Sequence, residues 1–263
     1  CHNFASQILL NNLNERVNYR MGLSATAFND EKNKTKDEIA MENYFGEICH
    51  RYTLKNGIDD GYLCKYYYHP IPCFLSDDEF LKWKEYVGNY KPPWESYDLE
   101  ESNISDIESI IDNSKEKYSE YLKLIKKIKM SRKHTITFVG KGKVDEERAI
   151  DYVSDKLTEN DWTFQRITYD ENKNHRKNTI EGFARGDIES ICAIRVLDEG
   201  IDIPSIKTAV ILASSDKRRQ FIQRRGRVLR SYEGKEYAEI YDFIILPPPT
   251  FSESGKDLIS REM

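Results

Sequence analysis

From Lys133 to Ile244 the sequence alternates short β-branched runs with amphipathic helical stretches, and this alternation restricts the fold more than any other feature. Thr135–Val139, Phe164–Thr168, Ser190–Ile194, Thr208–Ala213 and Ala238–Ile244 read as strands. Between them, Asp145–Leu157 reads as a helix with Ala149, Ile150, Val153 and Leu157 on its core side, and Asn178–Arg185 as a helix stopped by Gly186. Strands that alternate with helices predict an α/β fold, a mainly parallel sheet with helices on both faces. Ligand sites on such a sheet gather at the carboxyl ends of the strands.

The first half is less regular. A helical stripe (Phe4, Ala5, Ile8, Leu9) precedes a short predicted strand, Tyr19–Leu23, and Asn29–Asp37 is a polar loop. Tyr62–Cys73 reads as an extended segment, expected to be a late strand leaving a first structural unit, its tyrosines packing rather than stacking on bases. Ser76-Asp77-Asp78-Glu79 is a capping-box pattern that opens a helix with Phe80, Trp83 and Val87 on one stripe, broken by Lys91-Pro92-Pro93. Ile104, Ile107, Ile111, Tyr118, Tyr121, Ile125 and Ile128 then recur at helical period. The expectation for 76–130 is a helical connector without chemistry of its own. The stretch from Pro247 reads as loose.

Charge narrows the function. The formal net charge is −5, so the chain is no general polyanion binder, and any nucleic-acid contact must come from a local patch. Asp216–Arg230 is such a patch, with seven Lys/Arg against one acid. No apolar run approaches the ~20 residues of a membrane span. Five cysteines, an odd number without a C-x-x-C pair, suit the reduced thiols of a cytosolic protein. Cys49, His50, Cys64, His69 and Cys73 match no zinc spacing, so no metal site is expected.

Within the patch, Gln220–Arg230 reads Q-F-I-Q-R-R-G-R-V-L-R. On a helix, Gln220, Gln223, Arg224, Arg227 and Arg230 share one face, while Phe221, Ile222, Val228 and Leu229 form the other, and Arg225 lies away from the arginine face. Planar guanidinium forks suit phosphate oxygens. Gly226 weakens the helix by roughly 1 kcal/mol relative to alanine, and close backbone approach by a neighbour would account for it.

This stretch resembles motif VI of the superfamily-2 helicases, Q-x-x-G-R-x-x-R, at Gln223, Gly226, Arg227 and Arg230. Other stretches resemble the family's remaining motifs in the family's order. Cys1-His2 resembles the second half of a D-E-C-H box. G-L-S-A-T-A (22–27) resembles motif III, T-I-T-F-V-G (135–140) motif IV, and V-L-D-E-G-I-D-I-P (196–204) motif V. Arg176 and Phe183-x-x-Gly186 resemble the pattern preceding motif V, and the motif V wording departs from the T-D-x-x-x-R-G form of many RNA helicases. Motifs V and VI read nearest to XPB-type repair helicases and restriction-enzyme motor subunits, which act on DNA.

The resemblance implies a DEAD/DEAH-like motor built of RecA-like lobes. Residues 1–75 would end the first lobe, 76–130 connect, and 131–263 form the second. Arg227, Arg230 and Gln223 would serve catalysis at the terminal phosphates of ATP. His2, Ser24, Thr26, Gly200 and Asp202 would bind or couple the nucleotide, and Gly140, Arg176 and Gly200 would meet the nucleic-acid backbone. The implied cofactors are ATP and Mg²⁺, and the implied partner is DNA rather than RNA, with room for a nuclease or methylase subunit in a complex. The sequence contains no G-x-x-x-x-G-K-[ST] and opens in mid-pattern without methionine, so the nucleotide-binding residues are expected upstream and the chain alone is expected to be inactive. Two other readings stay open: a RecA-like module that binds nucleic acid without hydrolysis, and the motor subunit of a restriction or defence nuclease, although no P-D…[DE]-x-K-like cluster occurs here.

Overall fold

Thr135–Phe138, strand β2, is buried at every residue because it runs near the centre of a sheet covered on both faces. The structure, a computed structural model, describes residues 17–24, 36–88, 109–128, 132–168, 172–194, 202–213 and 225–249. Its elements in chain order are α1 (Lys36–Phe45), α2 (Leu54–Asp59), β1 (Lys65–Phe74), α3 (Asp77–Gly88), α4 (Lys115–Lys127), β2, β3 (Lys143–Val144), β4 (Glu147–Arg148), α5 (Ala149–Glu159), β5 (Phe164–Ile167), α6 (Lys173–Arg185), β6 (Ser190–Ala193), β7 (Thr208–Ile211) and β8 (Tyr237–Leu246). Six strands form one sheet in the order β1-β8-β7-β2-β6-β5, and every pairing in it is parallel.

Alternate residues of each strand enter two separate cores, as the period of two requires. On one face Val139, Cys192, Val210, Leu212, Phe243 and Ile245 pack beneath α3, α4 and α5, through Phe80, Trp83, Tyr118, Tyr121, Ile150 and Val153. On the other, Ile136, Phe138, Ile191, Ala193, Ala209, Ile211 and Ile240 pack beneath Phe183 of α6 and beneath Ile203, Ile206, Val228 and Leu229. The motif-like segments around Asp202 and Arg230 are thus part of the covering layer of the second face.

The predicted strands of the second half all form within a residue or two of their expected limits. Gly186 ends α6 at φ +81°, a left-handed cap that an L side chain rarely adopts. The Ser76–Glu79 capping box forms, with the Glu79 amide donating to Ser76 Oγ and the Ser76 amide to Glu79 Oε2.

Helix α6 begins at Lys173 rather than Asn178, and four further expectations need correction. Helix α5 starts at Ala149 rather than Asp145, because Lys143–Arg148 folds into a two-stranded hairpin whose tip, Asp145-Glu146, takes φ of +46° and +69°. Tyr19–Leu23 forms no strand: no described strand pairs with it, and Tyr19, Met21 and Leu23 are exposed. The segment expected to leave a first lobe is instead the edge strand of this sheet, β1, paired with β8 along its whole length. Pro70 and Pro72 fit that edge, where a missing N–H breaks no ladder bond. Finally, α3 and α4 are no mere connector, because Phe80, Trp83, Tyr118 and Tyr121 build one of the two cores.

The side chain that ties α4 to the sheet is unusual. Lys117 is fully buried, and its ammonium donates to the Leu212 carbonyl at 3.0 Å, just past the end of β7. Removing the stem empties core volume and strands the carbonyl, so Lys117→Ala should destabilise the chain by about 2–4 kcal/mol. Lys123→Ala, on the exposed side of the same helix, should change stability by less than about 0.5 kcal/mol. Urea unfolding of both variants measures the difference.

Candidate functional site

Beyond β7 the chain must return across the sheet before it can enter β8 in parallel. The described part of that return, Arg225–Val228, is helical, and Val228 and Leu229 are buried against the second face. Its lower end is fastened to the residues before β1: the Cys64 amide donates to the Leu229 carbonyl at 2.8 Å, Leu63 and Arg230 form an antiparallel bridge, and Ser231 Oγ donates to the Gly61 carbonyl at 2.8 Å.

Arg230 forms an ion pair with Asp202 across this face. The two groups belong to different segments, the stretches resembling motifs VI and V, and both are about half exposed, at 47% and 44%. Asp202 is held there because Ile203 and Ile206 just beyond it are anchored in the core. The pair lies toward the amino ends of the strands, beside the residues that lead into β1 and β8, and not at the carboxyl ends where sites on open sheets usually gather. The cause is direction: the arginine segment runs against the strands, so its last residues land at the opposite edge.

Arg225 stands over the Tyr68 ring at 4.4 Å, and the Tyr68 hydroxyl donates to Asp242 Oδ2 at 2.9 Å. Burial and the Asp242 carboxylate hold the Tyr68 hydroxyl well above the usual phenol range, so it remains a donor. Gly226 has open space around it. A Cβ built there meets nothing within 4 Å among the described residues, so none of them makes the expected close approach.

At the carboxyl edge, Gly140 is buried beneath the turn before α4; a Cβ there would come within 3.1 Å of the Asp112 Cβ and 3.5 Å of Asn113 Oδ1. Arg176 folds back so that its guanidinium donates to the Thr168 carbonyl at 3.2 Å, one residue past β5. The structure therefore separates the expected residues into two groups: Asp202, Arg227 and Arg230 go with the returning segment, Gly140 and Arg176 with the carboxyl edge. Ser24 is exposed. His2, Thr26, Gly200 and Gln223 lie outside the described residues. No group of three His, Cys, Asp or Glu that could hold a metal occurs among the described residues, and no helix among them is long and apolar enough to cross a membrane.

Sequence reasoning missed Lys235. It is buried, and its ammonium donates to the carbonyls of Val228 at 2.5 Å, Arg230 at 3.0 Å and Pro204 at 3.3 Å. Burial pulls its pKa down to about 8, opposed by the nearby Cys64 and assisted by Lys207. A lysine in a turn gives no periodic signal, so nothing in the sequence separates it from its exposed neighbours.

Because the space at Gly226 is open, Gly226→Ala should leave the melting temperature of the chain unchanged or raise stability by as much as ~1 kcal/mol through helix propensity. A clear loss in a thermal melt would reveal a contact at this glycine.

Residues 116–232 match the family model described as the helicase conserved C-terminal domain. The DNA 3'-5' translocase XPB2 of Sulfurisphaera tokodaii is 24% identical over 234 residues, covering 81% of this chain and 50% of that protein. The putative ATP-dependent helicase IRC3 of Saccharomyces cerevisiae is 29% identical over 157 residues, covering 55% of this chain and 22% of that protein. The chain thus spans half or less of the length of these relatives. Among solved structures, the C-terminal part of the Fun30 ATPase domain superposes with a TM-score of 0.50 at 12% identity, over 76% of this chain and 90% of that one, a likeness of fold alone. The motif order and the family match agree on one point: residues 116–232 carry a helicase conserved C-terminal domain, and the chain is similar to helicases and translocases beyond it.

Proposed function

We propose that this chain supplies the second RecA-like lobe of an ATP-dependent DNA translocase or helicase. In this reading the second lobe runs from about Leu63 to Leu246, including β1, α3 and α4, and a first-lobe portion precedes it. The observation that carries the proposal is the Asp202–Arg230 pair, which brings the segments resembling motifs V and VI into contact on one surface. DNA, rather than RNA, is favoured by the similarity to the Sulfurisphaera tokodaii protein, a DNA 3'-5' translocase.

The chemistry follows from the cations. ATP would enter from the open side of the returning helix, where Gly226 leaves room and Arg227 and Arg230 supply forked donors. Mg²⁺ would accompany the phosphates. An arginine at the terminal phosphate stabilises charge that develops only in the transition state. The Asp202 carboxylate would hold Arg230 extended until a phosphate replaces it. Gln223 would join the same polar face, and His2, Ser24, Thr26 and Gly200 would couple the lobes. Gly140 and Arg176, on the other edge, would follow the nucleic-acid backbone, and reaching Gly140 would require Asp112 and Asn113 to yield.

Arg227→Ala and Arg230→Ala in the full-length protein should lower nucleic-acid-stimulated single-turnover ATP hydrolysis by on the order of 10³ or more, with little change in ATP binding or melting temperature. Lysine at either position should rescue poorly, lacking the planar fork. Arg225→Ala removes the Tyr68 stack and should reduce stability while sparing the chemical step. Parental rates in both the Arg227 and Arg230 variants would refute the assignment, and a protein that binds DNA but never hydrolyses ATP would favour a pure binding module.

DNA binding should also weaken steeply with salt, because phosphate contacts release counterions. Titrations at several salt concentrations test this; Arg176→Ala should reduce the slope by about one contact.

A further inference from the structure

Besides the apolar core they share, the segments that carry Asp202 and Arg230 are joined, among the described residues, by two polar ties of different character. The ion pair is the exposed one, and exposed pairs contribute little to holding backbone in place. The other is Lys235, which is 8% exposed and reaches both segments at once. Its three N–H donors match three acceptors, the carbonyls of Val228, Arg230 and Pro204. Two of these belong to the end of the arginine segment, where helix carbonyls lack partners and a cation is favoured. The third lies two residues beyond Asp202 in the neighbouring segment. With a pKa of about 8, the group carries its charge and all three protons at neutral pH.

We propose that Lys235 is a positioning residue: its ammonium clasps the backbones of the Pro204 and Val228–Arg230 segments, so that the Arg230 side chain can exchange Asp202 for a phosphate while its own backbone stays fixed. The division of labour is physical. A buried three-point tie resists displacement, while the exposed ion pair above it breaks and re-forms at low cost. This inference rests on the ATP-dependent reading for its role in catalysis, but the clasp itself is a property of the fold.

Two measurements on the full-length protein test it. The first is amide hydrogen exchange by mass spectrometry over 202–207 and 225–231, which contain the Ile206 amide bonded to the Ile203 carbonyl and the Leu229 amide bonded to the Arg225 carbonyl. Lys235→Met should speed exchange in both segments by roughly tenfold or more, with the central strands β2 and β7 still protected. Asp202→Asn, which removes the ion pair and keeps the ammonium, should leave both segments as protected as in the parent. Unchanged exchange in Lys235→Met, or equal loosening in Asp202→Asn, would overturn the clasp. Should Lys235→Met fail to fold, Lys235→Gln makes the same comparison with fewer and weaker donors.

The second measurement is ATP turnover. Lys235→Met should lower kcat by about 10²-fold, as misplacement of a catalytic group by an ångström does, while KM for ATP changes little. Lys235→Arg, which keeps the charge at that depth, should recover part of the rate. Parental kcat in Lys235→Met would sink the positioning role. Absence of ATP hydrolysis in the parent would instead defeat the functional reading, and the exchange experiment would still decide the clasp.

Discussion

A parallel sheet has no wet face. The central strands of this one, β2, β6 and β7, are buried on both sides, and every connection must cross the sheet before the next strand can run in the same direction. Most of what is distinctive here follows. Helices α3, α4 and α5 close one face and α6 with the two motif-like segments closes the other, so the residues that carry Asp202 and Arg230 are held by the apolar contacts that complete the core. Val228, Leu229, Ile203 and Ile206 fix the backbone, and the charged groups between them are left at the surface.

The same constraint explains why the polar residues fall into two groups. Segments that leave a strand at its carboxyl end start there, as Gly140 and Thr168 do. A segment that has already run back ends at the amino edge, as Arg230 does. Sequence motifs listed in chain order carry no sign of this split, since order along the chain says nothing about which edge a residue reaches.

How much was legible depended on whether the signal was local. Strands β2, β5, β6 and β7 announce themselves as short β-branched runs, and Gly186 as a helix stop, because each is decided within a few residues. The pairing of β1 with β8 is not local: Lys65 meets Tyr237, and a strand reading of Tyr62–Cys73 says nothing of which sheet receives it. The burial of Lys117 and Lys235 was equally hidden, because a lysine at helical spacing or in a turn reads as solvated surface. The arginine stretch was visible as a motif, but its described helix ends at Val228 and Arg230 sits in a bridge to Leu63, so neither the place of Arg230 nor its partner, from a segment nearly thirty residues away, followed from periodicity.

The register of β1 against β8 also bears on how the molecule assembles. Parallel pairing between residues so far apart closes a very long loop, and such contacts form late and slowly compared with local ones. During synthesis β1 emerges long before β8 exists to receive it, so its ten residues wait without their ladder while the segments between them take shape. Pro70 and Pro72 then acquire a second meaning. By interrupting the donor row of a strand that must wait, they reduce its capacity to pair with another nascent chain in the interval.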